Sequence, residues 1–392
     1  MPYLDHAASS PLRPSARAAW LEAAAVVGNP SATHASGREA RRLLEDARES
    51  IATSLGADPA EVLLTSGGTE ADNLAVLGAV RASRPLSSIP DDDATVPALV
   101  TSAIEHPAVL EAARLLEGEG FGVAYAPARP SGQVDALALG DAVGEGTALV
   151  SLMWANNETG VIQPVSAAVT AAGEAGAIAH SDAVQAIGHL PFHFHESDLD
   201  LASISGHKVG APVGTGALLA RRGVALRAIG AGGGQERGIR SGTVDVAGAA
   251  ALAAALAEAV AVREEEAARL RLLRGRIEEA LAATPGARIT GAELAENQRL
   301  PHLTHAVIEG LRAEALLFAL DRAGLSASAG SACRAGVHQP SHVVLAMGGS
   351  EEEAGATLRC SLGWTTTEAD VEALIGALPT AIERARAAGT RR

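Results

Sequence analysis

Leu201-Ala202-Ser203-Ile204, followed directly by Ser205-Gly206-His207-Lys208, decides how the rest of this chain is read. The first four residues make a short strand of the buried type, and the polar tetrapeptide after it leaves one amine at the edge of a sheet. An amine held there, stripped of part of its water, has a lowered pKa and can condense with an aldehyde to a Schiff base. Lysine is equally an ordinary surface residue, so Lys208 takes its meaning from the strands around it.

The same pattern lies on either side. Glu61-Val62-Leu63-Leu64 reads as a strand, Thr65-Ser66-Gly67-Gly68-Thr69 as its loop, and residues 70–80 as a helix. Residues 98–102 repeat the strand, Glu105-His106 the loop, and Pro107 fits the first position of the next helix. Further strands are predicted at 121–125, 147–154 and 178–180. Short strands alternating with helices imply an α/β fold with a mainly parallel sheet. Upstream, residues 36–55 form an amphipathic helix with Leu44, Ala47, Ile51 and Leu55 at helical spacing, and Ser36 and Glu39 suit a capping box. Residues 81–97, with three prolines and Asp91-Asp92-Asp93, read as an exposed connection. The glycine-rich run 230–242 ends the pattern, and 246–284 read as a long helix or helix pair. The expected division is a large α/β domain over 14–261 and a smaller α+β domain built from 1–13 and 262–392.

Composition narrows the function. The 392 residues are 47% apolar, enough for a real core, and no run approaches the roughly 20 apolar residues that cross a bilayer. Met1-Pro2-Tyr3-Leu4-Asp5-His6 has neither the basic nor the apolar region of a signal peptide. With Cys333 and Cys360 as the two cysteines, a disulfide framework is excluded and a reducing cytoplasm is the expected home. A net charge of -15 and 2% aromatics argue against a nucleic-acid surface, and the acidity reads as a solubility feature.

Ligands of a parallel α/β sheet bind beyond the carboxyl ends of its strands, and the conspicuous polar residues fall there. Gly67-Gly68-Thr69 can cradle an anion at a helix N-terminus, or simply turn the chain. His106 can stack on a heteroaromatic ring or be a satisfied loop histidine. Asn156-Asn157 fit turn chemistry, and equally a ring oxygen or a carboxylate. Asp182 can hold a ring nitrogen protonated, with Gln185 donating to a ring hydroxyl, or Asp182 can cap a helix. Each alone is ambiguous. With Lys208 they make a pyridoxal-phosphate set, far more specific than any member.

At this point the chain resembles the cysteine desulfurases of the NifS/IscS type, in the class V aminotransferase family of fold-type I pyridoxal-phosphate enzymes. The likeness runs through Tyr3-Leu4-Asp5-His6-Ala7-Ala8, Thr65-Ser66-Gly67-Gly68-Thr69-Glu70, Glu105-His106-Pro107 and Ala155-Asn156-Asn157-Glu158. It continues through Ser181-Asp182-Ala183-Val184-Gln185, Ser205-Gly206-His207-Lys208 and Gly232-Gly233-Gly234-Gln235-Glu236-Arg237. Arg240-Ser241-Gly242-Thr243, Gly330-Ser331-Ala332-Cys333 and Pro340-Ser341-His342-Val343 complete it. The resemblance implies a mainly parallel seven-stranded sheet in the large domain. It implies that Lys208 carries pyridoxal 5'-phosphate, His106 stacks on its ring, Asp182 meets the pyridine nitrogen and Gln185 the ring hydroxyl. Gly68, Thr69, Ser205 and His207 would hold the phosphate, with Thr243 reaching the phosphate of the neighbouring subunit in a homodimer. Asn157 would serve both ring and substrate, and Arg359 the substrate carboxylate.

The last assignment has support from pattern. In Leu358-Arg359-Cys360-Ser361-Leu362, period-two alternation puts three apolar side chains on one face and Arg359 on the other. Arg359 then faces the cleft with a bidentate fork, or solvent from an edge strand. Cys360 reads as core. Cys333 lies among small residues with Arg334 beside it, which favours a thiolate.

The resemblance makes Cys333 the nucleophile that takes sulfur from L-cysteine, leaving L-alanine and a persulfide for an iron–sulfur scaffold or a tRNA-thiolating enzyme. No intrinsic metal is expected, although the loop cysteine of some family members helps hold a nascent iron–sulfur cluster on the partner. The stretch from Cys333 to Pro340 has the length of the IscS-like group. His6, Val209-Gly210, Arg334 and Trp364 depart from the commonest family pattern. The pair in His193-Phe194-His195 has no partners at metal spacing and reads as structural. A selenocysteine lyase, or another class V lyase, is the alternative activity. A scaffold that has lost its cofactor is the alternative of another kind.

Overall fold

The computed structural model describes residues 1–83, 98–330, 333–334 and 337–389. Most of the expected connection at 81–97 lies outside the described residues, as do the side chains of 331–338. Seven strands form the larger sheet: β1 Val62–Thr65, β2 Leu99–Ser102, β3 Val123–Ala126, β4 Leu149–Ser151, β5 Ile178–Asp182, β6 Leu201–Ser205 and β7 Gly216–Ala220. Their order across the sheet is β1-β7-β6-β5-β4-β2-β3. The neighbours from β6 through β5, β4 and β2 to β3 are parallel. Strand β7 runs antiparallel to both β1 and β6.

Burial of both faces explains the strand sequences. In β1, Val62 and Leu64 enter one apolar layer with Ile51 and Leu252, while Leu63 enters the other with Leu74 and Leu116. Strand β6 divides likewise, Ala202 and Ile204 to the first layer and Leu201 to the second. Alternate residues point to opposite faces, so a strand covered on both sides must be apolar throughout. Because β7 returns from β6 in register Ser205↔Gly216, the segment 206–215 loops out at the carboxyl end of β6. Lys208 sits on that loop. Gly216 is obligatory here, since a Cβ would lie 2.6 Å from both the Gly67 Cα and the Ile204 carbonyl oxygen.

Two local expectations change. The amphipathic helix is Ala35–Leu55, and its N-cap is His34, whose Nδ1 accepts from the Gly37 amide at 3.2 Å. Starting one residue early puts Ser36 inside the first turn, and Glu39 pairs with Arg42 instead of closing a capping box. The run 246–284 is a helix pair, Val246–Ala261 and Arg263–Ala282, bent by 69°. Among the described residues no single helix is long and apolar enough to cross a membrane.

Beyond the bend, β8 Ala287–Ile289, β9 Leu303–Ile308, the short β10 Cys333–Arg334 and β11 Val337–His338, and β12 Thr357–Ser361 follow. Strands β12, β9 and β8 form an antiparallel sheet in that order. Leu4, Ile277, Ala306, Leu316, Leu358 and Leu374 share a core of their own beneath it. The N-terminal residues join this unit through bridges Tyr3↔Ser326 and Asp5↔Ser361. That return of the N-terminus carries Ala7 and Ala8 across to Lys208.

Candidate active site

The carboxyl ends of β1, β2, β4, β5 and β6 converge on a cleft of about 460 Å³. Gly68, Thr69, His106, Asn157, Asp182, Gln185, Ser205, His207, Lys208 and Arg359 all line it. Ten residues chosen from loops far apart in sequence are therefore brought together. Thr243 is not among them; it lines a separate cavity of about 650 Å³ with Arg48, Gln235 and Arg237. The Cys333 side chain lies outside the described residues, but Ser328, Gly330 and His342, which flank its segment, reach the same cleft.

At the end of β1 the chain turns through Gly67, whose φ of 146° lies in the region that favours glycine. Gly68 opens the helix Gly68–Ala82. A Cβ on Gly68 would meet Val184 Cγ2 at 2.9 Å and Ser205 Cβ at 3.2 Å, so the helix start packs directly on the β5 and β6 loops. The result is a ring of free helix-terminal N–H groups with positive potential, beside the hydroxyl-bearing Thr69 and Ser205. It can hold a phosphate-sized anion.

Lys208 is mostly buried, and burial, with Arg359 nearby, lowers its pKa to about 8. Its Nζ donates to the carbonyls of Ala7 at 2.7 Å and Ala8 at 2.8 Å. Burial likewise holds His106 down to about 4. Its imidazole is thus neutral, with Nδ1 accepting from the Ala108 amide at 3.2 Å as N-cap of the helix Pro107–Gly118. His207 is also lowered to about 4, by burial and then Lys208, and its Nδ1 faces Ser9 Oγ at 3.3 Å.

Asp182 is the last residue of β5, and burial raises its carboxyl to about 6. One oxygen accepts from the Val184 amide at 2.9 Å, closing a turn rather than capping a helix, since no helix starts directly after β5, and the carboxyl lines the cleft. Gln185 Nε2 donates to the Ala7 carbonyl at 3.0 Å. The two asparagines divide: Asn156 turns inward to bond the Ile104 carbonyl at 2.9 Å, while Asn157 lines the cleft.

Arg359 in β12 is 4% exposed, which removes the solvent-facing alternative. Its guanidinium donates to the Asn157 carbonyl at 2.8 Å and pairs with Asp5 at 2.7 Å, while its buried Nε has no partner among the described residues. Cys360 is core as expected, and burial pushes its thiol to about 12. His6 and Trp364 pack locally. Each meets a side chain or carbonyl nearby, His6 through Ser10 at 2.9 Å and Trp364 through Pro11 at 3.1 Å.

Several site residues escaped the sequence reading. Asp72 lines the cleft from the second turn of its helix, and Glu105 is fully buried beside it. An aspartate at an inward position of the apolar run 71–80 was the available signal. His342 also lines the cleft, bonding the Glu105 carbonyl at 3.0 Å. His195, read as having no partner at metal spacing, lies 2.7 Å from Glu61 Oε2, with Asp58 close by. Sequence spacing missed these because the acidic pair comes from a turn over 130 residues upstream. The Glu61 carboxylate is already engaged by the Asp58 amide at 2.9 Å, so the group ties the β1 entrance to the 193–197 turn.

Glu105 yields a direct test. Burial raises its carboxyl to about 8, while Ser102 Oγ and the Met153 amide bond Oε1. A folded-state pKa above the unfolded value means the folded chain binds the extra proton, so this contribution is full below about pH 4.5 and is lost as pH rises through 8. Glu105→Gln is expected to remove that loss. Relative to the parent, the variant gains on the order of 1 kcal/mol per pH unit between about pH 6 and 8, read from urea midpoints. A constant difference would show that Glu105 is ionised throughout.

The comparisons with known proteins agree on one family. Aminotransferase class-V matches residues 2–374. An "IscS-like cysteine desulfurase" of Mycobacterium tuberculosis is 48% identical over 99% of this chain and 98% of its own length. Among solved structures, a "NIFS-LIKE PROTEIN" superposes with TM-score 0.87 at 32% identity, covering 97% of this chain and 99% of that one. Another, titled "SspA in complex with cysteine", gives TM-score 0.77 at 31% identity over 92% and 99%. With the lysine loop, the anion cradle and the buried carboxylate set at the strand ends as described, the chain belongs to the class-V aminotransferase family, among its NifS- and IscS-like members.

Proposed function

We propose that this protein is a pyridoxal-phosphate-dependent cysteine desulfurase, taking sulfur from L-cysteine to give L-alanine and a persulfide on Cys333. The observation that carries the reading is the Lys208 amine, lowered to about 8 and held in one cleft with Asp182. The residues fit the cofactor: a Cβ-free helix terminus for phosphate, a neutral flat imidazole, and a buried carboxylate for a pyridinium. Bound there, pyridoxal phosphate supplies an electron-accepting ring that stabilises negative charge at the substrate Cα.

The chain's own residues do the rest. Lys208 would hold the cofactor, and its amine, partly free base near neutrality, would take the Cα proton. Gly68, Thr69, Ser205 and His207 would hold the phosphate, and Asp182 would keep the ring nitrogen protonated. Gln185, which donates to the Ala7 carbonyl, would be the residue to meet the ring hydroxyl. Arg359, with its unpartnered Nε, and Asn157 receive the substrate carboxylate. The Cys333 thiolate attacks the substrate sulfur: the S–S bond forms, the C–S bond breaks, and its electron pair stays with carbon. A proton then completes the methyl group of alanine. No external oxidant is needed at any step, and a reductant or an acceptor thiol then takes the persulfide sulfur.

The reading extends to a cytoplasmic homodimer in which Thr243 serves the neighbouring subunit's phosphate site. It has a large domain over 14–261 and a small one over 1–13 and 262–392. Sulfur passes to an iron–sulfur scaffold or a tRNA-thiolating enzyme. Support for cysteine as substrate comes from the similar structure whose title names a complex with cysteine.

The test is a single assay on the purified yellow protein. L-cysteine and a reductant should give alanine and sulfide in equal amounts. Alanine formed only from selenocysteine would make the protein a lyase of that substrate, and no product from either would overturn the reading.

A further inference from the structure

Asp72 and Asp182, both buried, line one side of the cleft, and the buried Glu105 carboxyl lies close to both. Asp72, on the second turn of the helix Gly68–Ala82, is 1% exposed, and its Oδ1 has no hydrogen-bond partner among the described residues. Asp72, His106 and Asp182 each offer an atom within 4.8 Å of the others. Beneath Asp72 runs a row of polar side chains on one face of the sheet. His180 lies two residues before Asp182 on β5, so the two point to the same side. His180 Nδ1 meets Ser151 Oγ at 2.8 Å, and its Nε2 meets Ser203 Oγ at 3.0 Å. Nε2 is also 3.8 Å from Asp72 Oδ1, so the one ring nitrogen lies between the Ser203 hydroxyl and the Asp72 carboxyl.

The charge balance of this cluster is one-sided. Facing Asp72 are Asp182 and His180 from β5, Ser203 from β6, Glu105 and His106 from the loop after β2, and Lys208 beyond β6. His180 and His106 are neutral, since burial depresses both. Arg359 is paired with Asp5, Lys208 alone cannot offset three buried carboxylates, and adjacent buried carboxylates do not ionise together. Burial, with Asp182 close by, drives the Asp72 carboxyl well above the ordinary range.

We propose that Asp72 is a positioning residue of the cofactor site. It is a neutral carboxylic acid, set against the His180 ring that Ser151 and Ser203 hold, that leaves Asp182 as the one anion available to a bound pyridine nitrogen and fixes where that carboxylate points. The proposal rests on the pyridoxal reading above. Asparagine mimics a neutral acid, whereas alanine removes the polar group that packs between His180 and Asp182.

The experiment compares wild type, Asp72→Asn and Asp72→Ala by infrared difference spectroscopy, cofactor dissociation and titration of the bound cofactor's visible band. Wild type minus Asp72→Asn is expected to show the carbonyl stretch of one protonated carboxyl near neutral pH, in apoprotein as in holoprotein. Asp72→Asn should keep the cofactor within about twofold and leave the visible-band midpoint unmoved, while Asp72→Ala should release cofactor about tenfold faster.

Absence of that carboxyl band, or a midpoint lowered by about one pH unit in Asp72→Asn, would mean an ionised Asp72 and overturn the proposal. Wild-type cofactor retention in Asp72→Ala would also overturn it. Should Asp72→Ala not fold, Ser203→Ala takes its place, with faster cofactor loss and a displaced carboxyl frequency expected. Unchanged values there count against the proposal. A wild type that takes up no pyridoxal phosphate would overturn the pyridoxal reading and the role with it. A colourless protein thus separates that failure from a yellow one lacking the band.

Discussion

Lys208→Ala is expected to abolish the yellow protein's covalently held band and to lower the rate of alanine formation by about a hundredfold to ten-thousandfold, the span of a lost acid–base group. Two functions leave together, attachment of the cofactor and transfer of the Cα proton. The geometry gives no substitute. The amine sits on the loop that β6 and β7 force outward, held by the Ala7 and Ala8 carbonyls at 2.7 and 2.8 Å. The neighbouring imidazoles of His106 and His207 are lowered to about 4 and so lie several pH units below a useful base near neutrality. Lys208→Arg should not rescue, because a guanidinium stays protonated. Visible spectra and alanine yield, with a melting curve to control for the two carbonyls left unbonded, check the expectation. Wild-type turnover in Lys208→Ala would place the reacting amine elsewhere.

How much of this site was legible depended on whether a residue's setting was local. The β6 strand and its lysine loop stand out because four buried-type residues end abruptly in polar ones. Arg359 was readable because alternation is a property of five consecutive residues. Strand β7 was not, for Gly-Ala-Leu-Leu-Ala is as common in this alanine-rich chain's helices as in a sheet. Only its pairing with β1 and β6 makes it a strand.

Asp72, Glu105 and His180 escaped for a related reason. Their chemistry comes from burial against one another, and three elements far apart in sequence must meet before it exists. Ser36 and Glu39 had the right spacing for a capping box, but His34 captured the helix start because the chain turns one residue sooner. Composition decides what a segment can be. Tertiary contact decides which of the locally equivalent options is taken.

The second large effect concerns sulfur. Cys333→Ala is expected to bind cofactor and L-cysteine as the parent does and to form no persulfide, with sulfur transfer reduced about a thousandfold or more. The chain has one other cysteine, and its environment disqualifies it. Cys360 lies in β12 at 1% exposure, its thiol pushed to about 12 by burial and then by Asp5, so it offers essentially no thiolate near neutrality.

The Cys333 segment is a two-residue pairing, Cys333↔His338 and Arg334↔Val337, strung between anchors on the cleft rim. On one side the Arg359 amide donates to the Ser328 carbonyl at 2.6 Å, and on the other Ser341 Oγ donates to Glu158 at 2.5 Å. Both anchors sit beside residues that line the cleft, so the paired segment lies next to the proposed reaction site. Alkylation of the folded protein should therefore modify one thiol per chain and stop transfer, and Cys360→Ala should keep transfer while losing some stability. Persulfide formed in Cys333→Ala but lost in Cys360→Ala would reverse the assignment, and would require β12 to open and expose a thiol that the core beneath the three-stranded sheet keeps dry.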